Sequence, residues 1–309
     1  MRLVDVRQEP ALPWRRDQGE LAARLSAWAR SHRGAGAAVE GVRAPDSGMA
    51  NDTVLFRLDG EPLVARLAPA PDSLYPTFPT YDLELQQRVL ELVRSRTAVP
   101  VPEVVHLERS DEWLGVPFLV TRAVDGAVAS DNPPYLMDPN GWFLRATPEQ
   151  RRRVEAASID VLVQLHRVAD EGDATAFLRP RTPGVTALER QLSYQRGYYE
   201  WACADRPVPA LERAFDVLAV TMPANDRSVL NWGDSRPGNV MYRDFEPVAV
   251  LDWEMATVGP PEVDLAWMTF FHSFFQGMAE QYGLPGVPDL FQRKDAVAIY
   301  ERLSGDTLD

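Results

Sequence analysis

Asn231 to Trp267 reads NWGDSRPGNVMYRDFEPVAVLDWEMATVGPPEVDLAW, and this stretch decides the fold. Val240–Arg243 and Val248–Leu251 have strand character, and Asp244–Pro247 supplies turn residues between them. Such a hairpin brings the residue before its first strand, Asn239, close to the residue after its second, Asp252. An amide oxygen and a carboxylate held side by side suit a hard divalent cation such as Mg²⁺, which takes oxygen ligands and bridges phosphates. Five residues ahead of Asn239, in a loop with Gly233, Pro237 and Gly238, stands Asp234, a candidate acceptor for the proton of a substrate hydroxyl. An Asp or Asn beside Gly and Pro is by default a turn residue bonding its own backbone. It is the joint spacing of Asp234, Asn239 and Asp252 that points to chemistry.

Upstream, the chain changes texture twice. Leu21, Leu25 and Trp28 recur at helical spacing and predict an amphipathic helix over 17–33. Thr53–Leu58 and Pro62–Leu67 read as strands joined by Asp59-Gly60 and Glu61. A helix follows over 82–96, then strands at Val104–Leu107 and Phe118–Val124. Beyond Asp125-Gly126 a polar, Pro-rich loop leads to Thr147-Pro148, an N-cap with proline at the first helical position. Helices are expected from there to about 166, over roughly 186–202 and 209–220, and twice more after the hairpin. The expected class is α+β, with a small β-rich lobe over 1–124 and a larger, mostly helical lobe over 125–309.

The 309 residues carry 45 Asp+Glu against 32 Lys+Arg, a formal net charge of -13. That balance disfavours nucleic acid and anionic membrane as partners, since both draw on a basic face. Cys203 is the single cysteine, so no intramolecular disulfide forms. Met1–Leu12 has no apolar signal core, and no apolar run reaches the ~20 residues of a membrane span. The expectation is a soluble, cytoplasmic protein. Of the basic residues only Lys294 is a lysine, so no mechanism can draw on an N-terminal lysine.

The order G-D-x-x-P-G-N, L-D-W-E, D-L-A resembles the aminoglycoside phosphotransferase/choline kinase-like family, in the branch also found fused to acyl-CoA dehydrogenases. V-P-V-P at 99–102, P-F-L-V at 117–120 and L-H at 165–166 extend the likeness over about residues 40–305. The resemblance implies a bilobal protein-kinase-like fold and an ATP- and Mg²⁺-dependent transfer to a small-molecule hydroxyl acceptor. On that likeness Asp234 is the catalytic base and Asn239 with Asp252 the metal pair. Arg66 takes the place of the lysine that contacts the α- and β-phosphates. The loop at 46–52, with Ser47, Gly48 and Asn51, would cover the phosphates. The hinge at 121–124, through Thr121, Ala123 and Val124, would pair with adenine, and Asp264 would support the catalytic loop.

Three departures mark this sequence within that likeness. Arg66 stands for lysine, though arginine also binds phosphate, and bidentately. Trp232 stands where histidine commonly precedes Gly-Asp. The acidic partner of Arg66 falls on Glu84 or, in the other register, on Gln86. These departures motivate an alternative, a catalytically silent nucleotide-binding module that regulates a partner.

Overall fold

The computed structural model describes residues 17–44, 52–69, 78–223 and 227–308. The chain divides into two compact units, one comprising Met1–Leu83 with Val104–Ala123, the other Glu84–Glu103 with Val124–Asp309.

The first unit is a helix on an antiparallel sheet. Helix α1 spans Gln18–Arg33, and its N-cap Asp17 accepts a hydrogen bond from the Glu20 amide at 2.8 Å. Its buried face is Leu21, Leu25, Trp28 and Ala29, the expected helical stripe. The strands are β1 (Val39–Arg43), β2 (Asp52–Leu58), β3 (Glu61–Leu67), β4 (Val104–Glu108) and β5 (Phe118–Arg122), in the order β1-β2-β3-β5-β4. Inward residues such as Phe56, Leu63, Ala65 and Phe118 pack with Leu25 and Trp28 into one core. Strand β1 went unread in the sequence, where Glu40 and Gly41 interrupt its apolar pattern. The β2–β3 loop is tighter than expected: Leu58 pairs with Glu61, so Asp59 and Gly60 alone turn the chain. Both have positive φ, 52° and 83°, as a twist-matched two-residue hairpin requires.

The second unit is mostly helical. It holds α2 (Leu83–Arg96, from its second residue), the short β6 (Ala127–Val128), α3 (Trp142–Arg145), α4 (Pro148–Leu165), α5 (Ala187–Cys203) and α6 (Pro209–Thr221). After β7 (Val229–Asn231), β8 (Val240–Arg243), β9 (Glu246–Val250) and β10 (Thr257–Gly259), helices α7 (Pro261–Gln281) and α8 (Arg293–Ser304) close it. Thr147 caps α4 as expected, and Gln150 returns the bond in a capping box.

The β8–β9 hairpin also turns on two residues rather than four. Arg243 pairs with Glu246, and Asp244 and Phe245 take φ of 52° and 66°. Strand β6 adds to this hairpin in the order β6-β8-β9. Strand β7 pairs instead with β10, which sets the two ends of the loop-and-hairpin segment side by side.

Candidate active site

The hairpin does what its sequence requires of it. Val240 lies opposite Val250, and the Leu251 amide donates to the Asn239 carbonyl at 2.8 Å. Asp252 is the next residue, at φ 62°. Asn239 is buried and its Nδ2 donates to the Asp234 carboxylate at 2.6 Å and to the Asp234 carbonyl at 3.1 Å. Asp234 and Asn239 are therefore in contact, and Asn239 is tied through Leu251 to the start of Asp252.

The loop carrying Asp234 is suspended from α7. The buried Asp264 carboxylate accepts the amides of Trp232 at 2.7 Å and Gly233 at 2.8 Å, and its carbonyl accepts the Ser235 hydroxyl at 2.6 Å. Charge-assisted bonds of this kind hold backbone firmly. His166, the C-cap of α4, adds its Nε2 to the same carboxylate at 3.2 Å, while its Nδ1 meets the Tyr300 hydroxyl at 2.9 Å. Gly233 permits the close passage: at φ 91°, a Cβ there would lie 2.2 Å from the Met255 carbonyl. Trp232 is fully buried, and its indole Nε1 donates to the Leu251 and Asp252 carbonyls at 2.9 and 3.2 Å. The tryptophan thus supplies loop packing and also braces the hairpin end.

Two partners of Asp234 went unread in the sequence. Arg236 Nε donates to both Asp234 oxygens at 3.0 Å, and its Nη1 contacts the Asp131 carboxylate. Trp267, one turn beyond Asp264 on α7, donates its Nε1 to Asp234 Oδ1 at 2.8 Å. A Cβ on Gly238 would lie 2.6 Å from Asp131 Oδ1, so glycine is what lets Asp131 approach. Burial pushes the Asp131 carboxyl up; Arg236 opposes this, and the charges of Asp234 and Asp252 add to it. Burial alone would lower the Arg236 guanidinium, but Asp234 and Asp131 outweigh it and raise the group. A tripeptide window around Arg236 gave no cue, because Asp131 lies 105 residues away in sequence.

The remaining expected residues fall elsewhere. Arg66 lies on β3, half-buried, opposite Thr53 and Leu119. Thr121 is buried in β5 across from Val64 and Val104. The Ala123 amide donates to the Pro62 carbonyl at 3.0 Å, so it is engaged within its own unit. Val124 opens the second unit's later segment. Gln86 is buried in α2, and Glu84 stands in that helix's first turn. Ser47, Gly48 and Asn51 lie outside the described residues.

An α+β fold with an Asp-to-Asn loop set ahead of a hairpin is of the kinase-like class. Residues 41–290 match the phosphotransferase enzyme family, and the chain belongs to it. Among curated proteins it is 28% identical to mouse (Mus musculus) acyl-CoA dehydrogenase family member 10, over 80% of this chain but 23% of that one. The chain therefore spans about a quarter of the length of that relative. A Ralstonia eutropha structure, assigned provisionally as an aminoglycoside phosphotransferase, shares the fold at TM-score 0.65 and 23% identity, covering 93% of this chain and 81% of that one. The ternary complex of streptomycin, ATP and APH(2″)-IIa shares it at TM-score 0.53 and 14% identity, covering 94% and 83%. Among the described residues no helix is long and apolar enough to cross a membrane.

Proposed function

We propose that this protein transfers the γ-phosphoryl group of ATP to a hydroxyl of a small molecule. The observation that carries the reading is Asp234 held by α7 and by Asn239, with Asp252 at the end of the adjoining hairpin. Family membership supports it, and a solved structural neighbour is a complex with ATP.

Asp234 receives three N–H groups, from Arg236, Trp267 and Asn239. A carboxylate offers about four lone-pair sites, and the Arg236 Nε–H is shared between both oxygens, so a hydroxyl is accepted in place of one arm of that shared bond. Its partners fix the carboxylate's orientation, which places the acceptor oxygen for in-line attack. As the new O–P bond forms, the bond from the γ-phosphorus to the β,γ-bridging oxygen breaks, ADP leaves, and the hydroxyl proton passes to Asp234. Asn239 commits its amide nitrogen to Asp234, which turns its amide oxygen to the other side. That oxygen and the Asp252 carboxylate form a hard donor set, in a field where the charges of Asp234 and Asp252 both act on Asp131. Asn239 and Asp252 would hold Mg²⁺, which when bound would supply positive charge to offset that developing on the phosphates. Arg66 is assigned to the phosphates, with Ser47, Gly48 and Asn51, and the 121–124 backbone to adenine.

Beside Asp234 the aromatic side chains of α7 continue from Trp267 to Phe271, with ring centroids 5.1 Å apart, and on to Phe270 and Phe274, which are 56% and 50% exposed. An exposed aromatic face next to the reacting carboxylate suits an acceptor with apolar surface near its hydroxyl.

The test is a thermal shift with ATP, with and without Mg²⁺, on the native chain and Asp252→Ala. Ligand at 100 times its Kd adds about 2.7 kcal/mol, a readable rise in Tm. Mg²⁺-dependent stabilisation lost in Asp252→Ala, together with Asp234-dependent product from an alcohol panel, is the expected result. No shift with any nucleotide overturns the reading. Nucleotide binding without turnover of any acceptor moves the protein to the silent regulatory class.

A further inference from the structure

His32, His106 and Glu108 gather in the first unit, on elements the phosphotransfer reading does not use. His106 and Glu108 sit two residues apart on β4, so both project from one face of the strand. His32 comes from the last turn of α1. Glu108 Oε2 lies 3.3 Å from His32 Nε2 and 3.5 Å from His106 Nε2, and the three ligand atoms all fall within 4.8 Å of one another.

The hydrogen bonds around this cluster fix its chemistry. His32 Nδ1 lies 2.9 Å from the Trp28 carbonyl, which can only accept, so Nδ1 carries the proton. With Nδ1 donating there, Nε2 is the ring atom turned toward Glu108 Oε2. Trp28 Nε1 donates to that oxygen at 3.2 Å, and the Ser110 amide donates to Oε1 at 2.9 Å, so the carboxylate is held rigidly. Two imidazole nitrogens thus converge on one carboxylate oxygen, the arrangement of ligands around a single cation. Bonds of 2.0–2.1 Å in a tetrahedron set ligand atoms about 3.3 Å apart, close to the two N···O separations found here.

We propose that His32, His106 and Glu108 bind one divalent transition-metal ion of the zinc class. Two imidazoles and one carboxylate select such an ion over Mg²⁺ or Ca²⁺, which prefer oxygen alone. The His32 and His106 side chains are 32% and 34% exposed, so water reaches the fourth position. The backbone carbonyl behind His32 and the indole behind Glu108 serve as the outer partners that orient metal ligands. Strand β4 lies at the end of its sheet, so the ion ties this edge strand to the C-terminal turn of α1.

The composition makes the test clean. The chain has four histidines, and His166 and His272 are buried in the other unit. Co²⁺ is titrated into the tag-free chain, followed by the visible absorption of four-coordinate cobalt and then by displacement with Zn²⁺. A band saturating at one equivalent is expected, unchanged in Cys203→Ser and in Asp252→Asn. His32→Gln and His106→Gln should each weaken binding by more than about tenfold, since outer partners alone are worth 10–100-fold. Glu108→Gln keeps one acceptor oxygen, for either Trp28 or Ser110, and should also weaken it, with circular dichroism showing each variant folded. No saturable band, or a band that survives both histidine variants, overturns the proposal.

Discussion

Trp267 Nε1 donates to Asp234 Oδ1 at 2.8 Å, from the same face of α7 on which Asp264 takes the Trp232 and Gly233 amides. One helix thus sets both the backbone of the loop and the rotamer of its carboxylate. Trp267→Phe keeps the ring and removes the donor. A hydrogen bond to a charged group is worth about 1.5–3 kcal/mol, so kcat should fall roughly 10- to 100-fold with little change in KM. Steady-state kinetics on an identified acceptor checks this, and a change confined to KM would place Trp267 in substrate binding instead.

Arg236 stands between Asp131 and Asp234. Arg236→Met leaves the two carboxylates facing one another, and breaking such a partly buried set costs about 3–5 kcal/mol. The double variant Arg236→Met, Asp131→Asn should recover a large part of that loss, because the uncompensated charge is gone. Urea unfolding of the four species of the cycle measures the coupling, and additive losses would deny the ion pair a stabilising role.

Asp264→Ala strips two loop amides and His166 of their acceptor. Each buried donor left unsatisfied costs about 1–3 kcal/mol, so stability should drop by at least about 3 kcal/mol. Asp264→Asn keeps one acceptor oxygen and should fall between, when both are compared by calorimetry.

Gly233→Ala places a Cβ against the Met255 carbonyl at positive φ. Backbone rather than a flexible side chain is in the way, so the loop itself must shift. Expected is a kcat loss larger than that of Gly36→Ala, where nothing lies near the added methyl.

His272 supplies the pH dependence. Burial lowers its imidazole to about 4, while the Val287 carbonyl and Asp289 act the other way. The folded value lies below the unfolded 6.5, so the fold holds the ring neutral where the unfolded chain binds a proton. Stability is therefore fully present above pH 6.5 and declines as pH falls toward 4, by roughly 3 kcal/mol at 1.36 kcal/mol per pKa unit. Denaturant unfolding from pH 7 to 4.5 should show this slope in the native chain and lose it in His272→Gln.

Much of this was legible along the chain. The Thr147 cap, the Asp59-Gly60 turn and the stripe of Leu21, Leu25 and Trp28 are local signals, read within one turn of helix or one hairpin. The approach of Asn239 to the start of Asp252 followed from two strands that must pair, whereas the contact between Asp234 and Asn239 was not read from their spacing. The three-residue strands β7 and β10 carried no such signal, being too short for a period. Hairpin turn lengths were misjudged by the same limit, since left-handed φ at Asp244 and Phe245 replaces a longer loop.

By itself the sequence determined the α+β order of elements, the hairpin, the acidic surface and the spacing of the candidate catalytic residues, because each arises from neighbours in the chain. Tertiary structure alone decided which groups surround them. Asp131 reaches Arg236 across 105 residues, and His166 reaches Asp264 across 98. His32 meets Glu108 only because α1 lies on the sheet. Such partners are chosen by packing, which brings distant side chains within bonding distance without leaving a repeat or a spacing for the sequence to display.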